Sequence, residues 1–498
     1  MTSPASGAAV LTADLSINDN EIQNRMFGEP GLPAPATAPA SDGVPGATPG
    51  DAAGQRLRAC FAATDGDPLG SAFPRKLAIH AGLGGAPVEE ERRADLLGHL
   101  LSRPRTGKTA AYVHVPFCET HCLYCGFYTK AYGPGESARY TDALLRELDM
   151  WAHAPAQNEG PVHAVYIGGG TPTALEAPDL TRLLRGIGAA LPLANDCEIT
   201  VEGRIHNFGP DKMEACLAGG ANRFSLGVQT FDTELRRRMG RRAPREEIVA
   251  ALRRLSAYDQ AAVVIDLIYG FPTQTADSWR RDVETLLELE LDGADFYQLN
   301  VFRGTPLFTA VEAGKLPPAA DMAEQGRLFA EGIRLMHGAR WRRLSSSHWG
   351  RTTRERNLYN QLAKGQAHCL AYGPGAGGML HGHAFFIQRA YADWLAAVQG
   401  GGKPVMALML PPASAGLARA VASAFEAGRI DPARLDAELG LPVARHAAPL
   451  LEQWRGAGLL ERDGDWLELT MAGQFWQVTM AHLLINYLIH EIEEENAS

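Results

Sequence analysis

The sequence predicts an α/β fold: a six-unit (β/α)6 parallel barrel open on one side, with an N-terminal extension and a C-terminal winged-helix-like α+β domain. Three observations carry this prediction. From Ala110 onward short β-rich runs alternate with helical patterns, the unusual glycine and polar motifs follow those runs directly, and beyond Pro404 the pattern changes to helices with one hairpin. The 498 residues exclude a single small domain.

Residues 1–55 read as an extension. Glu29 to Gly54 (EPGLPAPATAPASDGVPGATPGDAAG) holds too few large side chains to offset the entropy of ordering, so it reads as a flexible linker. Residues 56–109 form a substrate-side segment, in which the Gly and Pro density of Ala72 to Val88 predicts a shaped loop and Glu89 to Leu101 a short helix. The barrel spans 110–315. Its strands are AAYVHVPF, VHAVYIGG, CEITVEG, RFSLGVQ, AVVIDLIYG and ADFYQLNVF, each followed by a turn and mostly by an amphipathic segment. Six units are two short of a closed barrel, and the gap admits a large substrate. Residues 316–403 are expected to be helical, then Gly-rich (AYGPGAGGMLHGHAFF, Ala371 to Phe386). Residues 404–498 carry helices near Ser414–Ala427 and Ala444–Ala457, then a hairpin turning at Asp463-Gly464-Asp465. No short tandem repeat is present.

Lys and Arg total 47 against 57 Asp and Glu, a net charge of −10, so the chain has no overall attraction for phosphate backbones or anionic membranes. The C-terminal domain is not locally basic either, which favours a packing role over nucleic-acid binding. Seven cysteines, an odd number, do not make a disulfide framework. With no basic n-region ahead of an apolar core and no apolar run of membrane-spanning length, a cytoplasmic protein without a membrane span is expected.

The chemistry concentrates in CETHCLYC, where Cys118, Cys122 and Cys125 stand at C-x3-C-x2-C directly after the first strand. Thiolates suit zinc or an iron-sulfur cluster. Zinc would need a fourth ligand, for which His121 is the local candidate. Three cysteines on a four-iron cluster instead leave one iron open to a substrate or cofactor. Gly168, Gly169, Gly170 and Thr171 end the second strand, where glycines let backbone approach a ligand closely. Glu202, Gln229 and Asp266 end the third, fourth and fifth strands and so converge on one rim. Cys60, Cys197 and Cys216 read as ordinary buried thiols.

The cysteine triplet, with YVHVPFC, GGGTPT, SLGVQTF and DLIYGFP, resembles the radical S-adenosylmethionine (SAM) superfamily, in its porphyrin-related branch that includes oxygen-independent coproporphyrinogen III dehydrogenase. The likeness runs from about Tyr112 to the C-terminus and implies a barrel of radical SAM type. It implies a 4Fe-4S cluster on Cys118, Cys122 and Cys125, with S-adenosyl-L-methionine chelated at the open iron. One electron, from a flavodoxin- or flavin-type reductase, then cleaves that cofactor to a 5′-deoxyadenosyl radical. By the same resemblance Tyr112 sits beside the cofactor at the reacting centre, and Tyr124 shields the cluster and packs on the adenine. Gly168 to Thr171 accept from the methionine ammonium. Glu202 and Gln229 hold the amino acid or ribose, Asp266 the ribose or amino group, and Arg241, or its neighbour Arg242, the carboxylate.

Two stretches depart from the dehydrogenase pattern: EGRIHNFG from Glu202 to Gly209, and GQAHCLAYGPGAGG. Together with FPRKLAIHAGLGGAPV and the loop ending CGFY, they resemble the haem-utilisation subgroup, the anaerobic haem-degrading methyltransferases also called anaerobilin synthases. That resemblance implies haem or a related tetrapyrrole as substrate, methyl transfer, ring opening and iron release without oxygen. His80, His348, His381 and His383 are candidate iron ligands, with Cys369, and Arg351 or Arg354 are candidates for the propionates. His348, in SSSHW, is the first choice, and with Tyr112 and Cys369 it completes the implied catalytic set. A porphyrin-precursor oxidoreductase and a haem chaperone are the alternative classes.

Overall fold

The structure is a computed structural model that describes residues 57–77 and 85–497. The proposed linker and His80 lie outside the described residues. Six strands, β1 (Thr109–Val115), β2 (Val162–Gly169), β3 (Leu193–Gly203), β4 (Arg223–Gln229), β5 (Ala262–Tyr269) and β6 (Gly293–Gln298), pair in parallel in chain order. Six long helices follow them in turn: α1 (Glu136–Asp149), α2 (Ala177–Ala190), α3 (Pro210–Gly219), α4 (Arg245–Ala257), α5 (Ala276–Glu288) and α6 (Met322–Gly338). The strands read as near-continuous apolar runs because helices cover one face and the barrel interior the other; all but the last residue of β4 is buried. The last two of these helices start on side-chain caps. Thr275 and Ser278 form a reciprocal capping box ahead of α5, and the Asp321 side chain accepts from the Glu324 amide ahead of α6.

Beyond α6 the sheet continues on both sides. A small hairpin, β7 (Arg342–Arg343) and β8 (His348–Gly350), adds antiparallel to β6. On the other edge β9 (His368–Tyr372) lies parallel to β1, and β10 (Gly377–Leu380), β11 (His383–Ile387) and β12 (Val405–Leu410) follow antiparallel. The Gly-rich stretch expected within a helical extension is therefore mostly strand, and the large sheet reaches past residue 403 to Leu410. The helical content of 316–403 is α6, α7 (Leu358–Lys364) and α8 (Tyr391–Gln399). Glycine misled the reading because it marks close backbone approach here: a Cβ at Gly378 would lie 2.2 Å from the Phe385 ring.

The C-terminal unit has α9 (Ala415–Glu426), α10 (Pro432–Leu439) and α11 (Val443–Gly456) with a three-stranded antiparallel sheet of β13 (Arg429–Ile430), β14 (Leu460–Asp463) and β15 (Trp466–Leu469). That is the expected winged-helix-like arrangement, with the β14–β15 pairing closing at Asp463 and Trp466. A 27-residue helix, α12 (Met471–Ala497), ends the chain. Residues 57–77 are stapled to this unit. Phe73 packs edge-on against Trp454 and Trp476, whose indoles donate to the carbonyls of Cys60 and Pro68, and Gln453 exchanges hydrogen bonds with the Ala62 backbone.

One buried pair fixes the sheet extension to the barrel. Lys403 Nζ lies 3.3 Å from Glu147 Oε1 on α1, donates to the Ala371 carbonyl on β9 and sits over the Trp151 and Tyr372 rings. Glu147 Oε2 in turn accepts from the Gly373 amide and the Trp394 indole. Breaking a buried pair leaves one charge uncompensated. Lys403→Met should therefore lower unfolding stability by about 3–5 kcal/mol, read from urea denaturation followed by tryptophan fluorescence.

Candidate functional site

The C-terminal ends of β1 and β2 lie side by side, with Val115 opposite Gly169. The cysteine loop leaves from this point and is pinned by the short parallel pairing of Phe117–Cys118 with Lys130–Ala131. The glycines of GGGT are needed here. Gly169 has φ +110, and a Cβ on it would enter the His114 ring at 2.7 Å; a Cβ on Gly170 would meet the Phe117 carbonyl at 2.5 Å. They bring the end of β2 against the start of the cysteine loop.

Cys118 and Cys122 are buried and Cys125 is half-buried. Two guanidinium groups face them. Arg204 Nη2 lies 3.6 Å from Cys118 Sγ, and its Nη1 donates to the Thr120 carbonyl; Arg241 Nη1 lies 3.4 Å from Cys122 Sγ and 3.1 Å from the Tyr124 hydroxyl, while its Nη2 donates to the Gly227 carbonyl. Thr171 Oγ1 donates to Cys118 Sγ at 3.4 Å. Burial raises the thiols of Cys118 and Cys125, whereas at Cys122 Arg241 and Arg204 more than offset burial and pull the thiol below its ordinary value. Donors of this kind suit an anionic thiolate-ligated centre. His121 turns instead toward the Cys125 carbonyl and stacks on Tyr128. Among the described residues no three His, Cys, Asp or Glu side chains close on a single ion.

Of the residues expected on the rim, Glu202 and Gln229 lie at the ends of β3 and β4, whereas Asp266 is the fifth of the eight residues of β5, in register with Gly227 and Asp295 inside the barrel rather than at its strand end. Glu202 Oε2 accepts from the Gly169 amide at 3.2 Å, and a Cβ on Gly168 would collide with that carboxylate at 2.6 Å. Gln229 sits in the left-handed region at φ +72, on a register shift between β4 and β5, and its buried Oε1 has no partner. A buried acceptor without a donor suits a hydroxyl or ammonium of a bound cofactor. Arg241, the residue expected to hold the cofactor carboxylate, is buried, and its neighbour Arg242 is exposed. Tyr124 packs edge-on against Phe271. These residues fit the cluster and S-adenosylmethionine.

Inside the barrel Asp266, Asp295 and His348 are register neighbours on β5, β6 and β8. His348 is fully buried, with Nδ1 2.7 Å from Asp295 and Nε2 3.0 Å from Glu355, which also takes Arg223 Nε at 2.9 Å. Burial opposes the imidazolium, but the two carboxylates hold it up to about 9; burial also opposes the Glu355 charge, yet Arg223 and His348 hold that carboxyl down to about 2. With both ring nitrogens engaged, His348 has none left for an iron atom, and it stands as a positioning residue rather than the haem ligand expected for it. Asp266 lacks such partners; burial and then Asp295 push it up to about 7, and burial and then Asp266 push Glu202 up to about 8.

Three tyrosines stack on one another in the interior. Tyr112 lies 6.3 Å from Tyr166 and 6.0 Å from Tyr359, Tyr166 and Tyr359 are 4.7 Å apart, and the Tyr112 hydroxyl is 3.1 Å from His114 Nδ1. Cys369 lies beside Tyr359, and burial pushes its thiol up to about 12, which opposes its ligating iron as a thiolate at neutral pH. The other candidates fall elsewhere. Arg351 and Arg354 bond the carbonyls of Leu291 and Ala261 at the N-terminal ends of β6 and β5, and His381 and His383 sit at the β10–β11 turn with His368. Cys60, Cys197 and Cys216 are buried thiols, as expected.

Sequence reasoning missed Arg204, Tyr166, Tyr359 and the Arg223–Glu355 pair. Tyr166 and Arg204 had a signal: Tyr166 lies two residues before Gly168 on the same strand face, and Arg204 two residues past Glu202. Glu355 and Tyr359 stand in or beside an irregular loop with no periodic pattern.

Replacing Cys118, Cys122 and Cys125 together with Ala should abolish the absorbance of the reconstituted cluster; a full cluster in that variant would overturn the assignment. The raised carboxyls of Asp266 and Glu202 favour the folded cofactor-free protein most below their ordinary values, and that contribution is lost as pH rises through about 7 and 8. Between pH 6 and 9 the wild type should therefore lose about 4 kcal/mol more stability than a Glu202→Gln, Asp266→Asn variant, measured by chemical denaturation at each pH.

The Radical SAM superfamily model matches residues 112–286, and proteins of that family use a 4Fe-4S cluster and S-adenosylmethionine. The chain is 42% identical over 418 residues to "Anaerobilin synthase" of Escherichia coli O157:H7, covering 83% of this chain and 92% of that one. It is 31% identical over 372 residues to "Heme chaperone HemW" of Mycobacterium tuberculosis (strain CDC 1551 / Oshkosh), covering 73% and 91%. Among solved structures, coproporphyrinogen III oxidase (HemN) from Escherichia coli superposes with a TM-score of 0.67 at 23% identity, covering 79% of this chain and 93% of the other, a likeness of fold. Cysteine loop, rim, barrel and relatives agree: the chain belongs to the radical SAM superfamily, in the family that includes anaerobilin synthase.

Proposed function

We propose that this protein transfers a methyl group from S-adenosylmethionine to haem and opens the porphyrin ring without oxygen, releasing iron and a linear tetrapyrrole. The observation that carries this reading is the 42% identity that extends over 92% of the relative named anaerobilin synthase. The stretches EGRIHNF and GQAHCLAYGPGAGG support it, since they stand where the coproporphyrinogen dehydrogenase pattern is lost. When bound, the cluster and S-adenosylmethionine supply the one-electron chemistry and the methyl group.

The chain's own residues bind and orient. Cys118, Cys122 and Cys125 hold the cluster, with Arg204 and Arg241 balancing its thiolates. Gly168, Gly169, Gly170, Thr171, Glu202, Gln229 and Asp266 present acceptors toward the cofactor, with Tyr124 beside the cluster. Tyr112, Tyr166 and Tyr359 offer flat aromatic surface suited to a macrocycle, and their stacking keeps the interior dry. His348 keeps Asp295 ionised and fixed, and so acts on Asp266 through its neighbour. The electron comes from a flavodoxin- or flavin-type reductase.

The relation to HemW across 91% of that relative favours a second reading, a haem chaperone without turnover. Anaerobic incubation with haem, a chemical reductant and methyl-labelled S-adenosylmethionine separates the two. Label in a ring-opened tetrapyrrole, with iron released, is the expected result by mass spectrometry. Haem returned intact would move the protein to the chaperone class, and decarboxylation of added coproporphyrinogen III would make it a porphyrin-precursor oxidoreductase.

A further inference from the structure

The loop after β4 and the helices α4 and α5 border a cavity of about 550 Å³, a size that suits a small molecule. Five carboxylates line it, Asp232, Glu234, Asp282, Glu284 and Glu288, against two guanidinium groups, Arg245 and Arg281. Some of these are engaged within the fold. Asp232 caps the short helix Thr233–Arg238, Glu234 pairs with Arg237 and Arg238, and Arg245 Nη2 donates to Thr285 Oγ1. Glu284 and Glu288 are exposed, one turn apart on α5, and the Arg280 charge that reaches Glu284 is itself bonded to Asp277 and Glu331.

Asp282 is the buried one of the five. It is 2% exposed; Oδ1 accepts from the Phe231 amide at 2.7 Å, and Oδ2 has no hydrogen-bond partner. The charged groups that face it are Asp232 and Arg236. Arg236 is turned to backbone instead, with Nε on the Ala243 carbonyl and Nη1 on those of Val228 and Thr230. Burial pushes the Asp282 carboxyl up to about 7, Asp232 adds to the rise, and the Thr230 side chain, the Phe231 amide and Arg236 offset only part of it.

A carboxylate oxygen buried without a donor is unfavourable, and a donor that reaches it relieves the strain on the site. A metal ion does not fit, because among the described residues no three such side chains close on one ion. The free carboxylates are instead spread along α5, at 282, 284 and 288. Separated acceptors of one charge match separated ammonium groups joined by methylenes. The loop that borders the cavity also carries Gln229 and Arg241 to the cofactor rim, yet no rim residue lines the cavity.

We propose that this cavity is a binding site for an aliphatic polyamine, with Asp282 taking one ammonium group and Glu284 and Glu288 the others. The site is separate from the cofactor rim and does not depend on the haem reading.

The test uses the full-length protein with its cluster reconstituted, titrated anaerobically with spermidine by calorimetry at constant ionic strength. The wild type should bind, and Asp282→Asn, which keeps an oxygen for the Phe231 amide, should bind at least about tenfold more weakly, as expected for losing a bond to a charged group. The double variant Glu284→Gln, Glu288→Gln, at exposed positions, should also bind more weakly, and it decides the matter if Asp282→Asn does not fold. Between pH 6 and 7.5 the wild-type affinity should rise severalfold as the Asp282 carboxyl ionises, and that of Asp282→Asn should stay level. Magnesium chloride reports the acidic surface alone. Spermidine binding no tighter than that of magnesium overturns the site, as does equal binding by the wild type and a folded Asp282→Asn or, failing that, the double variant.

Discussion

The charged chain of Arg223, Glu355, His348 and Asp295 is the constraint around which the barrel interior is arranged. Two positive and two negative groups, each taken from water, are tolerable only because each is bonded to its neighbours. The chain ties three parts of the sequence together: β4, β6, and the hairpin with the loop after it. Its charges largely balance one another, so Arg223 and His348 offset only part of the burial and of the Asp295 charge that Asp266 meets. That carboxyl lies next to Asp295 in the sheet register and so carries its burden of burial toward the cofactor rim, where it and Glu202 wait for a positively charged or donor-rich ligand.

The chemistry of the rim and the chemistry of the floor are thus of opposite kinds. At the rim, the arginines near Cys118 and Cys122 supply positive charge to sulfur, and the Gln229 carbonyl oxygen is left without a donor. At the floor every charge is matched, and α7 is capped by Glu198, which receives the amides of Leu358 and Tyr359 and so seats Tyr359 against Tyr166. A rigid floor and an unsatisfied rim are what a site needs if binding is to complete it rather than deform it.

Much of this was legible in the sequence because it is local. The cysteine triplet, the GGGT turn and the strand-end residues Glu202 and Gln229 need only strand polarity to be placed, and the six strands announce themselves as apolar runs, whereas Asp266 lies in mid-strand. What was not legible is what distant pairing decides. The stretch around Ala371 to Phe386 reads as glycine-rich loop, yet it joins β1 because His368 to Tyr372 find an uncovered strand edge some 250 residues earlier, at Thr109 to Val113. His348 looked available because a sequence cannot show that Asp295 and Glu355 meet it from either side. Arg241 and Arg242 are adjacent and chemically alike, and only the turn after β4 buries one and exposes the other.

The staple between residues 57–77 and the C-terminal unit has a temporal meaning. Phe73 is among the first described residues to be synthesised, but the indoles of Trp454 and Trp476 that hold it are among the last. At about 5–20 residues per second, this segment spends tens of seconds after its own synthesis without its docking surface. All six barrel strands and the cysteine loop are made in that interval. The chain's order of translation therefore leaves this flank of the barrel uncovered while the barrel itself can assemble, and closes it only when the last helix has emerged.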